Sequence, residues 1–359
     1  MKRTSKPRRL LVALACAVLV APTASAQDAS VALPKLGADP ERTSVSGISS
    51  GGFMAAQLAT AYSSQIRGVG VVAGGPYYCA HTYGALANLE NATGTCMTPL
   101  SASVAANADI SWANARKFGA AGKIDPVLNL QKQRVYAFSG ANDNTVRTIV
   151  TDQVPRYYLL AGVPKESIRY VRSDEAGHAF ATSEPDDQAC SLTGSPYINN
   201  CGFMQAHAIL AHLYPERSAA PNTGAPKGRL IRFNQKEFVQ GTRSSMDDEA
   251  FVYVPDECAV GARGGCAVHV AFHGCRQGAT EIGARFYRHV GYNGYADSNR
   301  LIVLYPQAHA SKGIPFNPRG CWDFWGYSND GAEPETFATR KAPQMAAVMA
   351  MVARLRQQP

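Results

Sequence analysis

Short apolar runs, rich in β-branched residues, alternate along this chain with longer stretches of helical periodicity. The runs are Thr43-Ser44-Val45, Gly68-Val69-Gly70-Val71-Val72-Ala73, Arg134-Val135-Tyr136-Ala137-Phe138, Ile168-Arg169-Tyr170-Val171, Ala250-Phe251-Val252-Tyr253-Val254-Pro255, Ala267-Val268-His269-Val270-Ala271-Phe272 and Leu301-Ile302-Val303-Leu304-Tyr305-Pro306. Each reads as a strand, several of them buried. Helices are predicted over 53–62, near 112–118, over 147–161, over 203–214 and over 342–356. The fourth places Phe203, Leu210 and Leu213 on one face; the last carries Ala346, Val348, Met349, Met351 and Val352. Strands alternating with helices predict an α/β fold, with a mostly parallel central sheet flanked by helices. Two segments interrupt the alternation. Residues 77–129 are rich in Ala, Asn and Ser and read as an excursion, with a glycosylation sequon at Asn91-Ala92-Thr93 that matters only in a eukaryotic host. Residues 215–227 form a connector broken by Pro215, Pro221, Gly224 and Pro226.

The first run leads into Gly47-Ile48-Ser49-Ser50-Gly51, a G-x-S-x-G pentapeptide between a strand and a helix. That is the setting of a nucleophile elbow, a strained turn that holds a serine where the helix N-terminus can help it. The positions two before and two after the serine must lack bulk, and both are glycine. Ser50 is the rival nucleophile, but Ile48 sits two residues before it. Asp143 follows the strand at 134–138, and His178 follows the strand at 168–171. Ser49, Asp143 and His178 thus appear in the chain order of the α/β-hydrolase triad, each beyond its own strand. Taken singly, Asp143 is a common turn former, and His178 competes with seven other histidines. The strand at 267–272 runs into His273-Gly274-Cys275, the kind of turn that supplies a second oxyanion N–H. It comes after the histidine rather than before the serine. The simplest reading is a circular permutation: the late strands and closing helix slot in ahead of Thr43, and 215–227 joins the old ends. On that reading the strand beginning at Thr43 is central, flanked by the one at Leu301–Tyr305, and 27–359 is one domain.

The remaining composition concerns compartment. Lys2, Arg3, Lys6, Arg8 and Arg9 precede an apolar stretch over 10–21 and an Ala24-Ser25-Ala26 cleavage site, which reads as a signal peptide over 1–26. Arg8-Arg9-Leu10 also loosely fits a twin-arginine signal. Cys16 lies inside the apolar stretch, which argues against a lipid anchor. Removing the leader takes five cations and no anions, so the formal charge falls from +8 to +3. With no basic cluster among aromatics, nucleic acid is not an expected partner. No later stretch is long enough to span a membrane, so a membrane partner is not expected either. Eight cysteines remain, an even number suited to disulfides in an exported protein. Eight thiols allow 105 pairings; pairing of neighbours is the expectation, as Cys79 with Cys96, Cys190 with Cys201, Cys258 with Cys266 and Cys275 with Cys321. None has C-x-x-C spacing, and no metal is expected.

Several segments together resemble the extracellular polyhydroxyalkanoate depolymerases whose catalytic domain is circularly permuted. They are Gly47-Ile48-Ser49-Ser50-Gly51-Gly52-Phe53-Met54, Ala73-Gly74-Gly75-Pro76-Tyr77-Tyr78-Cys79, Ala176-Gly177-His178-Ala179-Phe180, His273-Gly274-Cys275, Gly291-Tyr292-Asn293-Gly294-Tyr295-Ala296-Asp297, Val303-Leu304-Tyr305-Pro306-Gln307 and Asn317-Pro318-Arg319-Gly320-Cys321-Trp322-Asp323-Phe324-Trp325-Gly326-Tyr327. The resemblance implies a secreted serine esterase of poly(3-hydroxybutyrate) or similar short-chain polyesters, working without a cofactor. It implies Ser49 as nucleophile, His178 as general base and acid, Asp143 as its orienter, and the N–H groups of Ser50 and Cys275 as oxyanion donors. Many secreted members add a linker and a polymer-binding domain; this chain ends at Pro359, and soluble oligomers or amorphous chains are the expected substrate, acted on by a monomer. Trp322 and Trp325 are candidates for an aromatic wall against the polyester, with core packing as the plainer alternative. A feruloyl or acetyl-xylan type of carboxylesterase would use the same triad, and a hydrolase-like binding protein without catalysis is a third reading.

Overall fold

The apolar runs assemble into one eight-stranded sheet. The computed structural model describes residues 1, 31–217, 219–241, 243–259, 265–329, 333 and 335–359; apart from Met1, the expected leader lies outside them. In chain order the strands are β1 (Thr43–Ile48), β2 (Ile66–Val72), β3 (Arg134–Gly140), β4 (Ile168–Ser173), three short strands β5 (Phe180–Thr182), β6 (Gln188–Ala189) and β7 (Ile198–Asn200), then β8 (Arg229–Asn234), β9 (Glu249–Val254), β10 (Ala267–Phe272) and β11 (Leu301–Tyr305). The large sheet runs β4-β3-β2-β1-β10-β11-β9-β8, and the short strands form a second sheet ordered β5-β7-β6. From β4 to β11 every pairing is parallel; β9 and β8 add antiparallel partners at one side. Strands buried on both faces need apolar side chains throughout, which is why the central runs show little polar alternation.

The centre of the sheet differs from expectation in one respect. β1 lies between β2 and β10, in register from Thr43↔Val268 to Gly47↔Phe272. Leu301–Tyr305 is one strand further out, paired with β10. The reason is local. A Cβ at Gly47 would lie 2.8 Å from Phe272 Cβ, and one at Gly51 would lie 2.3 Å from the His273 carbonyl oxygen. The two glycines let the elbow press against the end of β10, so the His273-Gly274 turn sits beside the serine.

β8, the second sheet and helix Tyr292–Asn299 escape the sequence pattern. β8 is a half-exposed edge strand carrying Arg229 and Arg232, charges suited to an edge and uninformative about pairing. The second sheet has strands of two or three residues, too short for any periodicity. Helix Tyr292–Asn299 has a polar, glycine-containing sequence that conceals its buried residues Tyr292, Tyr295 and Ala296. The closing helix Pro343–Arg356 matches expectation and buries Met345, Val348, Met351, Val352 and Leu355. Its Arg356 donates to Thr43 Oγ1 (2.7 Å) and Gln65 Oε1 (2.7 Å), fastening the chain's end to the start of β1.

All four expected disulfides are present: Cys79–Cys96, Cys190–Cys201, Cys258–Cys266 and Cys275–Cys321. The sequon at Asn91 is not accessible in the fold. Its side chain is buried and donates to the Tyr83 carbonyl at 2.9 Å.

Two histidines of the β10 region are sealed in the core. His269 takes Ser44 Oγ on Nδ1 and Ser46 Oγ on Nε2, both at 2.7 Å, and Ser46 Oγ also meets the Tyr292 hydroxyl at 2.6 Å. This Ser–His network is fully buried and lines neither lobe of the cleft described below. His273 donates from Nδ1 to the Gly274 carbonyl (2.7 Å) and accepts the Ala308 N–H on Nε2 (3.1 Å), so it is neutral. Desolvation pushes His269 down to about 3; it pushes His273 down to about 4, against the opposing pull of the Gly274 carbonyl. A depressed histidine pKa contributes stability that is complete above the unfolded value of 6.5 and is lost as pH falls toward the folded one. Between pH 6.5 and about 4, each histidine is expected to cost on the order of 1.4 kcal/mol per pH unit. Urea unfolding measured across this range should show a falling midpoint. An unchanged midpoint from pH 7 to 4.5 would contradict the buried neutral state.

Candidate active site

Ser49 caps helix Ser50–Ala61 at φ 57° and ψ −126°, a backbone state costly for any residue with a side chain and common where a site stores strain. Its N–H donates to the Val72 carbonyl (2.9 Å), and its own carbonyl accepts from Phe53 N (3.0 Å), so both sides of the turn are held. Gly52 allows close approach too: a Cβ there would meet the Val72 carbonyl oxygen at 3.0 Å.

Asp143 and His178 come together as the sequence order implied. His178 Nδ1 lies 2.7 Å from Asp143 Oδ2, with both side chains almost wholly buried. Asp143 Oδ1 accepts from the N–H groups of Thr145 and Val146, each at 2.8 Å, which fixes the carboxylate's plane. Gly140 lets the two loops touch, since a Cβ there would sit 2.0 Å from the Ala176 carbonyl oxygen. The His178 loop is gripped from its other side. Gly177 N donates to the Cys190 carbonyl (2.8 Å) and His178 N to Thr193 Oγ1 (2.9 Å), so the Cys190–Cys201 disulfide bears on the histidine's position. With Nδ1 engaged by Asp143, Nε2 is left for the pocket that His178 shares with Ser49.

Ser50 follows Ser49 at the start of the helix, and a Cβ on Gly274, the residue before Cys275, would lie 3.3 Å from the Ser49 Cβ. Helix N-terminal N–H groups lack intrahelical acceptors, and Ser50 is the first helical residue. In the turn after β10, the neighbours of Cys275 are all engaged. Gly274 N donates to Gln277 Oε1 (2.8 Å), Arg276 N to the Arg319 carbonyl (2.8 Å) and Gln277 N to the Gly274 carbonyl (3.2 Å). Among the described residues the Cys275 N–H has no such acceptor. Gln277 Nε2 in turn donates to the Pro196 and Tyr197 carbonyls, and the Cys275–Cys321 bridge ties the turn to the 317–327 segment.

The cleft over Ser49 has two lobes. One, of about 120 Å³, contains Ser49, His178, Thr193, Tyr197, Cys275, Arg276 and Arg319 among its walls. The other, of about 270 Å³, is largely apolar, with Phe53, Leu89, Met97, Val146, Phe324 and Trp325. Of the two tryptophans expected to form an aromatic wall, only Trp325 lines it. Trp322 is fully buried, packed on the rings of Phe272 (5.0 Å) and His273 (5.4 Å), and contributes to the core. A three-residue step within a turn separates the two roles, and composition carries no signal for it. Phe324 stacks on Phe53 at 4.3 Å and continues the wall instead.

The residues that hold this wall are not among the site residues expected from the sequence. Asp323 is a buried carboxylate accepting from Trp325 N (3.1 Å), Gly326 N (2.6 Å) and Tyr327 N (3.2 Å) on Oδ1, and from Ser328 N (2.9 Å) and Oγ (2.5 Å) on Oδ2. Desolvation raises its pKa, opposed by hydrogen bonds from Ser328, Gly326 and Trp325. The available signal was an aspartate followed by glycine and serine, an anion-cradling turn.

A strained serine on a strand-to-helix turn, beside a buried Asp–His pair at the end of a mostly parallel sheet, defines a serine ester hydrolase of the α/β-hydrolase type. No family model matches the chain, but individual proteins do. It is 41% identical over 328 residues to the poly(3-hydroxybutyrate) depolymerase of Delftia acidovorans, covering 91% of this chain and 62% of that one. It is 38% identical over 320 residues to the polyhydroxybutyrate depolymerase of Talaromyces funiculosus, covering 86% of this chain and 89% of that one. Among solved structures, a serine-to-alanine variant of a PHB depolymerase complexed with an R3HB trimer superposes with a TM-score of 0.78 at 34% identity. The PHB depolymerase of Penicillium funiculosum gives 0.77 at 35%. Both matches cover 91% of this chain and 100% of the other. The chain belongs to the polyhydroxybutyrate depolymerase family.

Proposed function

We propose that this protein hydrolyses poly(3-hydroxybutyrate), or its oligomers, through an acyl-enzyme on Ser49. The observation that carries the proposal is the buried Asp143–His178 pair opening onto the same pocket as the strained Ser49. Family membership supports the substrate. In the first half-reaction His178 Nε2 takes the Ser49 proton as Oγ attacks the ester carbonyl. Asp143 fixes the tautomer and stabilises the imidazolium. The Ser50 and Cys275 N–H groups receive the developing oxyanion, each worth roughly 3 kcal/mol to the transition state. Collapse expels the alcohol, which takes the proton back from His178. Water then repeats the sequence and releases a 3-hydroxy acid. No step calls on a cofactor. The apolar lobe, with Trp325 and Phe324, suits the methyl groups of the bound acyl segment.

The leader over 1–26 and the four disulfides support export, and 27–359 is proposed to act as a single permuted domain and as a monomer. The test is a comparison of products. Release of 3-hydroxybutyrate or its oligomers from amorphous polymer, well above release of ferulate or acetate from their esters, is the expected result. Ferulate or acetate release without attack on the polymer would replace this reading with a plant-polysaccharide esterase. No release from any ester would leave a binding protein.

A further inference from the structure

The lobe that holds His178 is lined by two arginines, Arg276 and Arg319, and by no acidic residue. Both arginines are exposed, and among the described residues neither is in an ion pair. The fold fixes their backbones together. Arg276 N donates to the Arg319 carbonyl at 2.8 Å, and the Cys275–Cys321 disulfide closes beside that bond. Arg276 adopts φ 59°, the left-handed region, where a long side chain costs about 1–2 kcal/mol. Strain of this kind persists where the surroundings over-determine it, and it clusters at functional sites.

The chemistry assigns this lobe to the leaving group. His178 returns its proton to the departing alcohol, so that segment lies on the histidine's side of Ser49. The acyl segment then occupies the apolar lobe, which Arg319 borders as well and Arg276 does not. When a 3-hydroxybutyrate oligomer is cut one unit from its carboxyl end, the departing alcohol is 3-hydroxybutyrate itself. Its carboxylate is only two carbons from the carbon bearing the leaving oxygen. Such an anion beside two unpaired guanidinium groups is held by charge-assisted hydrogen bonds. We propose that Arg276, with Arg319, forms a carboxylate-recognising subsite for the leaving unit, so that short oligomers are cut from their free carboxyl end with monomer released. This specificity rests on the ester hydrolysis proposed above; the bonds formed and broken are the same.

The test uses the mature protein, the 3-hydroxybutyrate trimer acid and its methyl ester. The wild type should favour the acid in kcat/KM by about tenfold or more, the range of a charge-assisted contact. Monomer should be the first product from the acid. Arg276→Asn, which suits the left-handed backbone, and Arg319→Gln should each bring the acid-to-ester ratio toward one. Arg276→Lys should restore part of it. High salt should lower the ratio in the wild type more than in either neutral variant. Equal kcat/KM for acid and ester in the wild type would overturn the subsite while leaving the hydrolase reading intact. A ratio unmoved by both neutral variants would overturn it as well. Failure to cut either trimer would overturn the hydrolase reading, and this inference with it.

Discussion

Ser49→Ala is expected to lower ester hydrolysis by on the order of a millionfold, the scale seen when a serine hydrolase loses its nucleophile, while the protein stays folded. The structure explains why the fold survives. The hydrogen bonds that hold the elbow use the Ser49 main chain, through Val72 and Phe53, and alanine keeps both. It also carries the same Cβ in the same strained backbone. Ser50→Ala is the matched control, with a different signature. The Ser50 main-chain N–H remains, so its oxyanion contact remains. Its hydroxyl, however, accepts the buried Trp322 N–H at 3.2 Å, and losing that acceptor should cost about 1–3 kcal/mol of stability. Circular dichroism with initial rates separates the two outcomes. A dead Ser50 variant beside an active Ser49 variant would reverse the assignment.

Expression of residues 27–215 alone should give unfolded or aggregated protein. The connector at 215–227 invites a division there, yet β1 has its two partners on opposite sides of that point in the chain. Without the second half, β1 loses its pairing with β10 from Thr43 to Gly47 and becomes an exposed, fully buried-type edge. The elbow loses the Phe272 and His273 backbone against which Gly47 and Gly51 pack. It also loses the helix Pro343–Arg356, whose buried side chains share a core with Met54, Ala55 and Leu58 of the elbow helix. Proteolytic cutting within 215–227 should instead leave the halves associated and active. The connector itself lies on the second half, with Asn222 N on the Gly294 carbonyl (2.9 Å) and Lys227 N on Asp297 Oδ2 (2.8 Å). Size-exclusion chromatography of the cut protein, with an esterase assay, checks this. A stable and active fragment ending before Pro215 would contradict the single permuted domain.

The elbow and the Asp143–His178 pair were legible because each obeys a local rule. Glycines bracket a strained serine, and acids and bases follow the strand ends in a set order. The disulfides were legible because each cysteine's partner is its neighbour in sequence. What stayed hidden depends on direction within a turn or on distant packing. Trp322 and Trp325 differ by three residues, yet one enters the core against Phe272 and the other faces the cleft. His269 looks like a lone histidine in an apolar strand, and its partners Ser44 and Ser46 are more than two hundred residues away. Placing β11 beside β1 failed for a similar reason. Hydrophobic pattern gives strands but not their order, and the order was fixed by the close fit of Gly47 and Gly51 against the end of β10. Arg276 carries no sequence signal, since its role depends on a left-handed backbone and on the Arg319 carbonyl across the bridge.

In the proposed mechanism Ser49, activated by His178, forms the acyl bond. Peptide mass mapping after treatment with an alkyl organophosphonate tests it most directly. One adduct should appear, on the peptide containing Ser49, with fragment ions placing it at residue 49. Its formation should be slowed by a His178→Asn change and competed by a 3-hydroxybutyrate oligomer. An adduct at Ser50 or elsewhere, or no adduct from a folded protein that still cleaves esters, would contradict the account.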